Sequence, residues 1–368
     1  MKERVMVALS GGVDSAVAAY LLKDQGYEVV GVTMCLGVET PESGKVKCCG
    51  PREIEDAKDV CRCLGISHFV LDFAPELARF VIEPFIQEYR TGRTPNPCVE
   101  CNRRIKFGSL LEKALSMGFD LLATGHYALV DKSDGTCCLK VAKDSRKDQT
   151  YFLSGIRNEA LKHVVFPLAD LTKDQVRAMA HSAKLPVSSK PDSQDICFIP
   201  AGGVGEFLKK SIDEVPGDIV NRKGKTIGRH RGIPFYTIGQ RTGLGISAGR
   251  PQYVLSLDAA QNRIIVGDRR FLSAQGLAAD CLNLFIDDLG EKAFGKIRYA
   301  HTPAPCTVTM EHGEMKVLFD EPQEAITPGQ TIVLYDKGMV LASGIIKSVI
   351  KWDYANTLGY EQASSRNG

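Results

Sequence analysis

Ser10-Gly11-Gly12-Val13-Asp14-Ser15 follows the short apolar run Arg4–Leu9 and precedes Ala16, Val17, Tyr20 and Leu21, which recur at helical spacing until Gly26. A strand that feeds a helix through paired glycines turns successive backbone N–H groups toward one point. The helix N-terminus adds partial positive charge there. Ser10 and Ser15 supply hydroxyls, and Asp14 can cap the helix or help place Mg²⁺ on phosphates. A tight turn with an Asp/Ser cap is the plainer alternative. The whole six-residue string in this setting favours a nucleotide phosphate loop.

Working outward, Val29–Met34 reads as a second buried strand and His68–Phe73 as a third, with a helix marked by Ile54, Ala57, Val60, Cys61 and Leu64 between them. Ile105–Met117 has a helical pattern and Asp120–Thr124 a strand pattern. Such alternation predicts a parallel sheet with helices on both faces and a ligand crevice at the strands' C-terminal ends. After about residue 205 the composition changes. Residues 216–250 are rich in Gly, Arg and Lys and show no long helical pattern. Short β-type runs then recur at Tyr253–Leu257, Arg263–Val266, Thr307–Met310, Lys316–Phe319 and Thr331–Tyr335, which predicts small β modules and a barrel. Gln362–Gly368 reads as a polar frayed tail.

The bulk numbers exclude little but do direct the search. With 368 residues, 44% hydrophobic and 24% charged, two or three soluble domains are expected. No apolar run approaches the roughly 18–20 residues that span a bilayer. Met1-Lys2-Glu3-Arg4 runs straight into a strand, so neither a secretory signal nor a transit peptide is expected, and the expected address is cytoplasmic. A net charge of +2 neither demands nor forbids a nucleic-acid partner. Twelve cysteines without an export signal point to core thiols, catalytic thiols or metal ligands rather than to a disulfide scaffold.

The phosphate loop resembles the signature of the PP-loop ATP pyrophosphatases, which adenylate a substrate oxygen and release pyrophosphate. Longer strings are similar to the tRNA-specific 2-thiouridylases: Gly92-Arg-Thr-Pro-Asn-Pro-Cys-Val-Glu-Cys-Asn-Arg-Arg-Ile-Lys-Phe107, Ala123-Thr-Gly-His-Tyr-Ala128, Lys147-Asp-Gln-Thr-Tyr-Phe152, Asp192-Ser-Gln-Asp-Ile-Cys-Phe198, Thr237-Ile-Gly-Gln-Arg241 and Ile297-Arg-Tyr299. The resemblance implies an α/β PP-loop domain, of the adenine nucleotide alpha hydrolase-like type, over 1–205. A small central tRNA-binding domain over 206–272 and a C-terminal β-barrel over 273–360 would follow. It implies ATP-dependent replacement of the C2 oxygen of the wobble uridine by sulfur. ATP would contact Ala8, Leu9, Ser10, Gly11, Gly12, Val13, Asp14 and Ser15, with Met34 and Gly125. Asn96, Pro97 and Cys98 would face the target base. His126, Lys147, Asp148, Gln149, Arg298, Tyr299 and Gln330 would touch the anticodon region of the tRNA. The implied helpers are ATP, Mg²⁺ and a sulfur donor, either sulfide or a persulfide carrier protein.

The resemblance also exposes a departure. The family's usual Asn-Pro-Asp-x-x-Cys reads Asn96-Pro97-Cys98-Val99-Glu100-Cys101 here, so a thiol replaces a carboxylate. Cys101 matches the family's nucleophile and Cys197 its persulfide carrier. Sulfur delivery needs thiols, because thiolate or persulfide sulfur is the competent nucleophile. Three readings stay open. Cys98, Cys101 and Cys197 hold a [4Fe–4S] cluster with one iron left for hydrosulfide, which is the preferred reading. Alternatively, Cys197 carries a persulfide and Cys101 forms a disulfide on release. Or the pair belongs to a zinc site or is neutral, although no fourth ligand motif is present. Cys35, Cys61 and Cys63 are expected to be buried, Cys137 and Cys138 structural, and Cys48 and Cys49 lie in a loop near the expected site.

Two basic clusters remain. Arg222, Lys223, Lys225, Arg229, His230 and Arg231 fall within ten positions, and Arg103, Arg104 and Lys106 follow the cysteine pair. Either is a solvated loop or a set of phosphate contacts. Phe235, Tyr236 and Tyr299 are candidates for base stacking, or core. Rival functions are a PP-loop amidoligase, for which no glutaminase-like module is present, and a non-catalytic ATP-regulated tRNA-binding protein.

Overall fold

The computed structural model describes residues 2–37, 51–133, 137–192, 196–246 and 249–351. Cys48, Cys49 and the C-terminal tail lie outside them. Strands β1 (Arg4–Ala8), β2 (Glu28–Cys35), β3 (Ser67–Asp72) and β4 (Leu121–Thr124) are parallel neighbours. A hairpin, β5 (Leu129–Asp131) and β6 (Cys138–Lys140), leaves this sheet, and the chain returns with β7 (Val164–Val165) on β4. The order β3-β2-β1-β4-β7 puts β1 in the middle, buried on both faces. Val5 and Val7 enter one apolar cluster and Met6 the other, all at 1% exposure or less, as period-2 side chains in a doubly covered strand must.

Strand order reverses at β1. Beyond it, β2 and β3 are laid down on one side and β4 on the other. The crevice between the C-terminal ends of β1 and β4 is therefore the topological switch point, where such sheets take ligands. Helix α1 (Val13–Asp24) starts at that point and buries Ala16, Val17, Ala18 and Ala19. Helix α2 (Pro51–Leu64) follows the second strand.

The predicted helix over 105–117 differs in detail. Residues Cys101–Leu110 form a widened π-helical stretch, which passes into α-helix at Leu111–Ser116. Such wide turns commonly mark functional positions.

The Gly-rich stretch and the first two β runs after it form a sheet with the order β10-β11-β8-β9, made of β8 (Gly217–Asn221), β9 (Thr226–His230), β10 (Tyr253–Asp258) and β11 (Arg263–Gly267). The last module has β12 (Ser273–Leu284), β13 (Lys292–Lys296), β14 (Ala304–Glu311), β15 (Glu314–Glu324), β16 (Thr331–Asp336) and β17 (Met339–Lys351). Its order β12-β15-β14-β13-β16-β17 closes through a β12–β17 pairing into a six-stranded barrel. The barrel encloses Leu277, Val317, Ile332, Leu334 and Ile346, all fully buried. Lys140 of β6 pairs with Met339 of β17, so the hairpin of the first module extends the barrel sheet.

Two cysteine expectations change. Cys61 is buried in the core, but Cys63 is exposed, because two positions along a helix turn a side chain to the opposite face. Cys35 is buried as expected, yet it is disulfide-bonded rather than a plain core thiol.

Candidate active site

The loop is built by its own backbone. Leu9 N–H donates to Val32 O (2.8 Å), which ties the end of β1 to β2. Gly11 has φ +70°, and a Cβ there would lie 2.5 Å from the carbonyl oxygen of Glu53 in α2. Only glycine fits that position. Gly12 is the N-cap of α1 and has no side-chain cap. Ser10 N–H donates to Ser15 Oγ (3.2 Å), and Ser15 Oγ–H donates to Gly12 O (3.1 Å). Ser15 thus braces the loop from inside, while Ser10 is exposed.

Leu9 and Val13 have buried side chains, so only their backbone can meet a ligand. Ala8 closes β1, and Met34, half-buried, lies near the end of neighbouring β2 at the same sheet edge. Gly125 follows β4, and a Cβ on it would stand 2.5 Å from Ser15 N. Its smallness lets β4 touch the start of α1.

Asp14 does not cap α1. Both its oxygens accept from Lys173 Nζ (2.7 and 2.8 Å), and Tyr127 Oη–H donates to Oδ1 (2.8 Å). Lys173 Nζ also reaches Asp192 Oδ1 (2.8 Å). Asp192 takes Lys147 (2.8 Å) and Arg177 (2.5 Å) as well. Burial raises the Asp192 pKa, but Lys147 and Lys173 outweigh it and hold the carboxyl at about 2. Lys190 Nζ donates to Gly11 O (3.0 Å) and pairs with Asp56 (2.6 Å). Four cations and three carboxylates therefore surround the loop.

Sequence reading missed Lys173, Tyr127, Arg177 and Lys190 as parts of this network. Lys173 opens the helix Lys173–Ser182 behind a Thr172/Gln175 capping box, and that signal speaks of helix start only.

The thiol pair sits on the short helix Pro97–Glu100 and the first π-helical residue. Asn96 is its N-cap, accepting from Val99 N–H at 3.4 Å, and Pro97 is buried at the first helical position. Cys98 and Cys101 are half-buried. Burial raises both thiol pKa values and the nearby Lys106 ammonium opposes it, while Cys101 adds a further upward push on Cys98. Lys106 also helps burial lower the His126 pKa, so His126 is neutral near pH 7. His126 Nδ1 contacts Thr124 Oγ1 (2.7 Å). Phe107, in the π-helical stretch that begins at Cys101, meets the His126 ring with centroids 6.1 Å apart, so that stretch lies against the residue after Gly125.

Cys197 is exposed, just before Phe198, which is anchored edge-on against Phe85 and Phe207. Among the described residues no three His, Cys, Asp or Glu side chains converge as a metal-ligand set. The expected cluster ligands are three thiolates, a fitting donor chemistry. Cys98 and Cys101 lie three positions apart at one helical turn.

The expected tRNA residues divide. Lys147 and Tyr299 are on the surface, and Tyr299 stacks on Phe152 with ring centroids 4.4 Å apart. Asp148 is buried, with Ala142 N–H (3.0 Å) and Thr150 Oγ1–H (2.6 Å) on its carboxylate. That places it in the frame rather than on the surface. Gln149 Oε1 accepts from Tyr127 N–H (3.0 Å), and Arg298 donates to Glu324 O (2.9 Å). Gln330 Nε2 donates to Thr94 O (2.8 Å) and Pro95 O (3.3 Å). Phe235, Tyr236 and His230 are core, whereas Arg222 lies over Phe271 at 3.5 Å.

The fold and loop define a HUP-type α/β nucleotide-binding protein that carries two β modules. Residues 3–201 match the family model described as tRNA methyl transferase HUP domain, 205–268 that of the tRNA methyl transferase PRC-barrel domain, and 277–346 that of the aminomethyltransferase beta-barrel domain. A tRNA-specific 2-thiouridylase of Syntrophus aciditrophicus is 51% identical over 97% of this chain and 95% of its own. Another, of Acetivibrio thermocellus, is 46% identical over 94% of this chain and 99% of its own. A solved 4-thiouridine synthetase–RNA complex with bound ATP is 18% identical, covering 56% of this chain and 50% of that one with a TM-score of 0.36. The chain belongs to the tRNA-specific 2-thiouridylase family. No helix among the described residues is long and apolar enough to cross a membrane.

Proposed function

We propose that this chain is a tRNA-uridine 2-sulfurtransferase that consumes ATP. The single observation that carries the reading is the near full-length identity to 2-thiouridylases, 51% over 97% of the chain. The phosphate loop at the switch point of the sheet supports it. In the first step the C2 oxygen of the wobble uridine attacks the α-phosphorus, and pyrophosphate leaves. Sulfur then attacks C2, and the C–O bond breaks with AMP as leaving group. The protein's work in adenylation is positioning and charge neutralisation. The loop 10–15 takes the phosphates, and Lys190 and Lys173 supply positive charge beside it. Asp14 is the carboxylate that would hold Mg²⁺ on the triphosphate, loosening its pairing with Lys173. The expected boundaries 1–205, 206–272 and 273–360 assign ATP chemistry, tRNA binding and support to successive modules, in a cytoplasmic enzyme.

For sulfur delivery, the exposure of Cys197 supports a persulfide reading, because the thiol that accepts sulfur from a donor must be reachable. Its terminal sulfur attacks C2, and the Cys101 thiolate then attacks the Cys197 sulfur. That leaves a thiocarbonyl and a Cys101–Cys197 disulfide, which a thiol reductant reopens. The cluster reading is favoured by a different observation, the Cys98–Cys101 pair one helical turn apart under a shared ammonium. A [4Fe–4S] cluster would supply a bound hydrosulfide there. Lys147, Tyr299, Asn96 and neutral His126 are the groups we assign to the tRNA.

The test is AMP release by anaerobically purified protein with and without tRNA, together with its iron content. AMP formation that needs tRNA supports the sulfurtransferase, and equal AMP without tRNA overturns it. Iron that is lost in Cys98→Asp selects the cluster. Iron-free active protein selects the persulfide.

A further inference from the structure

The segment 92–96 joins the helix Glu83–Arg90 to the thiol-bearing turn, and the other two modules grip it. Thr94 N–H donates to Pro328 O (2.9 Å), and Gln330 Nε2 donates back to Thr94 O (2.8 Å) and Pro95 O (3.3 Å). Both backbone groups of Thr94 are thus held by one barrel turn. Its hydroxyl meets Thr237 Oγ1 of the central module at 2.6 Å. The residue before it, Arg93, donates to Ile346 O in β17 (3.3 Å).

The approach is close. Gly329 has φ +93°, and a Cβ there would stand 2.8 Å from Thr94 N. Gly92, at φ +74°, would meet Ile233 of the central module at 3.1 Å. Only Pro95 lies between Thr94 and Asn96–Pro97, so the direction of the helix that carries Cys98 is set at Thr94. Tyr151, on the helix Thr150–Leu153 of the first module, donates its hydroxyl to Thr331 O of the barrel (2.9 Å).

We propose that the central module and the barrel form a clamp on Thr94, with Thr237 and Gln330 as positioning residues that aim the Cys98–Cys101 turn. Gln330 acts on the reaction through this loop, since its amide donors are spent on Thr94 and Pro95. The inference rests on the sulfurtransferase reading for its kinetic arm only.

Gln330→Met keeps size and removes the donors, and Thr94→Val keeps shape and removes the hydroxyl. Each is expected to slow single-turnover thiolation about tenfold while the tRNA dissociation constant stays within about twofold. Gln330→Lys, which restores a donor, is expected to recover part of the rate. A second arm needs no activity: iodoacetamide labelling of Cys98 and Cys101, read by peptide mapping, changes rate in both variants while that of exposed Cys63 does not. Weaker tRNA binding at unchanged rate would make Gln330 a tRNA contact and overturn the clamp. So would unaltered labelling of the pair in both variants. If the wild type thiolates nothing, the functional reading fails, and the labelling arm still decides the clamp.

Discussion

Lys173 Nζ lies 2.7 and 2.8 Å from the two oxygens of Asp14 and 2.8 Å from Asp192 Oδ1. An ammonium has three donors, and all three are placed. The side chain is only 8% exposed, so the phosphate loop and the segment that begins the Asp192 motif share one buried cation.

Lys173→Met removes that cation and leaves two carboxylates facing each other. Destabilisation of about 2–3 kcal/mol is expected, below the range for a wholly buried pair because Asp14 keeps 32% of its side chain exposed. Urea unfolding measures it, and calorimetric titration with ATP is expected to show weakened binding. A variant as stable as wild type with unchanged ATP affinity would remove Lys173 from the site.

Asp192 predicts an acid-limb effect. Its folded pKa of about 2 lies below the ordinary 3.8, so its contribution is fully present above about pH 4 and is lost as pH falls toward 2. Asp192→Asn is expected to lower stability at pH 7 and to flatten the loss between pH 4 and 2. Equal slopes for both proteins in denaturant titrations across that window would contradict this.

Lys106 opposes the effect of burial on both thiols. In Lys106→Met the iodoacetamide pH–rate profile of Cys98 and Cys101 is expected to move to higher pH, since the thiolate loses the ammonium that opposes burial. A profile that stays in place would show that the ammonium does not reach the pair.

Gly125→Ala places a methyl 2.5 Å from Ser15 N and 2.7 Å from Asp14 C, both backbone atoms that cannot step aside. A cost of about 1–3 kcal/mol is expected, with ATP binding lost before the fold is. Thermal unfolding and nucleotide titration of one sample separate the two effects.

The architecture was legible where pattern and burial coincide. Val5, Met6 and Val7 are apolar without alternation because both faces of β1 are covered, and the β runs from Tyr253 to Tyr335 match strands β10, β11, β14, β15 and β16. The loop 10–15 was legible because glycine there answers a steric demand. A strand at Cys137-Cys138 was legible, but the pairing of the hairpin β5–β6 with the barrel was not, since its partner β17 lies some 200 positions away. Nor were the loop's cations. Lys173 and Lys190 look in sequence like any surface lysine, and only tertiary structure shows which carboxylate each meets. The cysteines divided for the same reason, with Cys61 and Cys63 separated by helix phase and Cys35 by a bond that spacing does not reveal.

The loan of β5–β6 to β17 has a consequence for dissection and for inheritance. A fragment ending near residue 205 would carry a two-stranded ribbon stripped of its neighbour, and isolated ribbons are marginal in water. It would also bare Tyr151, a fully buried side chain whose hydroxyl donates to Thr331 O. Gene fusion or recombination that swaps the last third of the chain must therefore preserve a β17 edge that accepts a foreign hairpin. The three modules are expected to travel through evolution as one block.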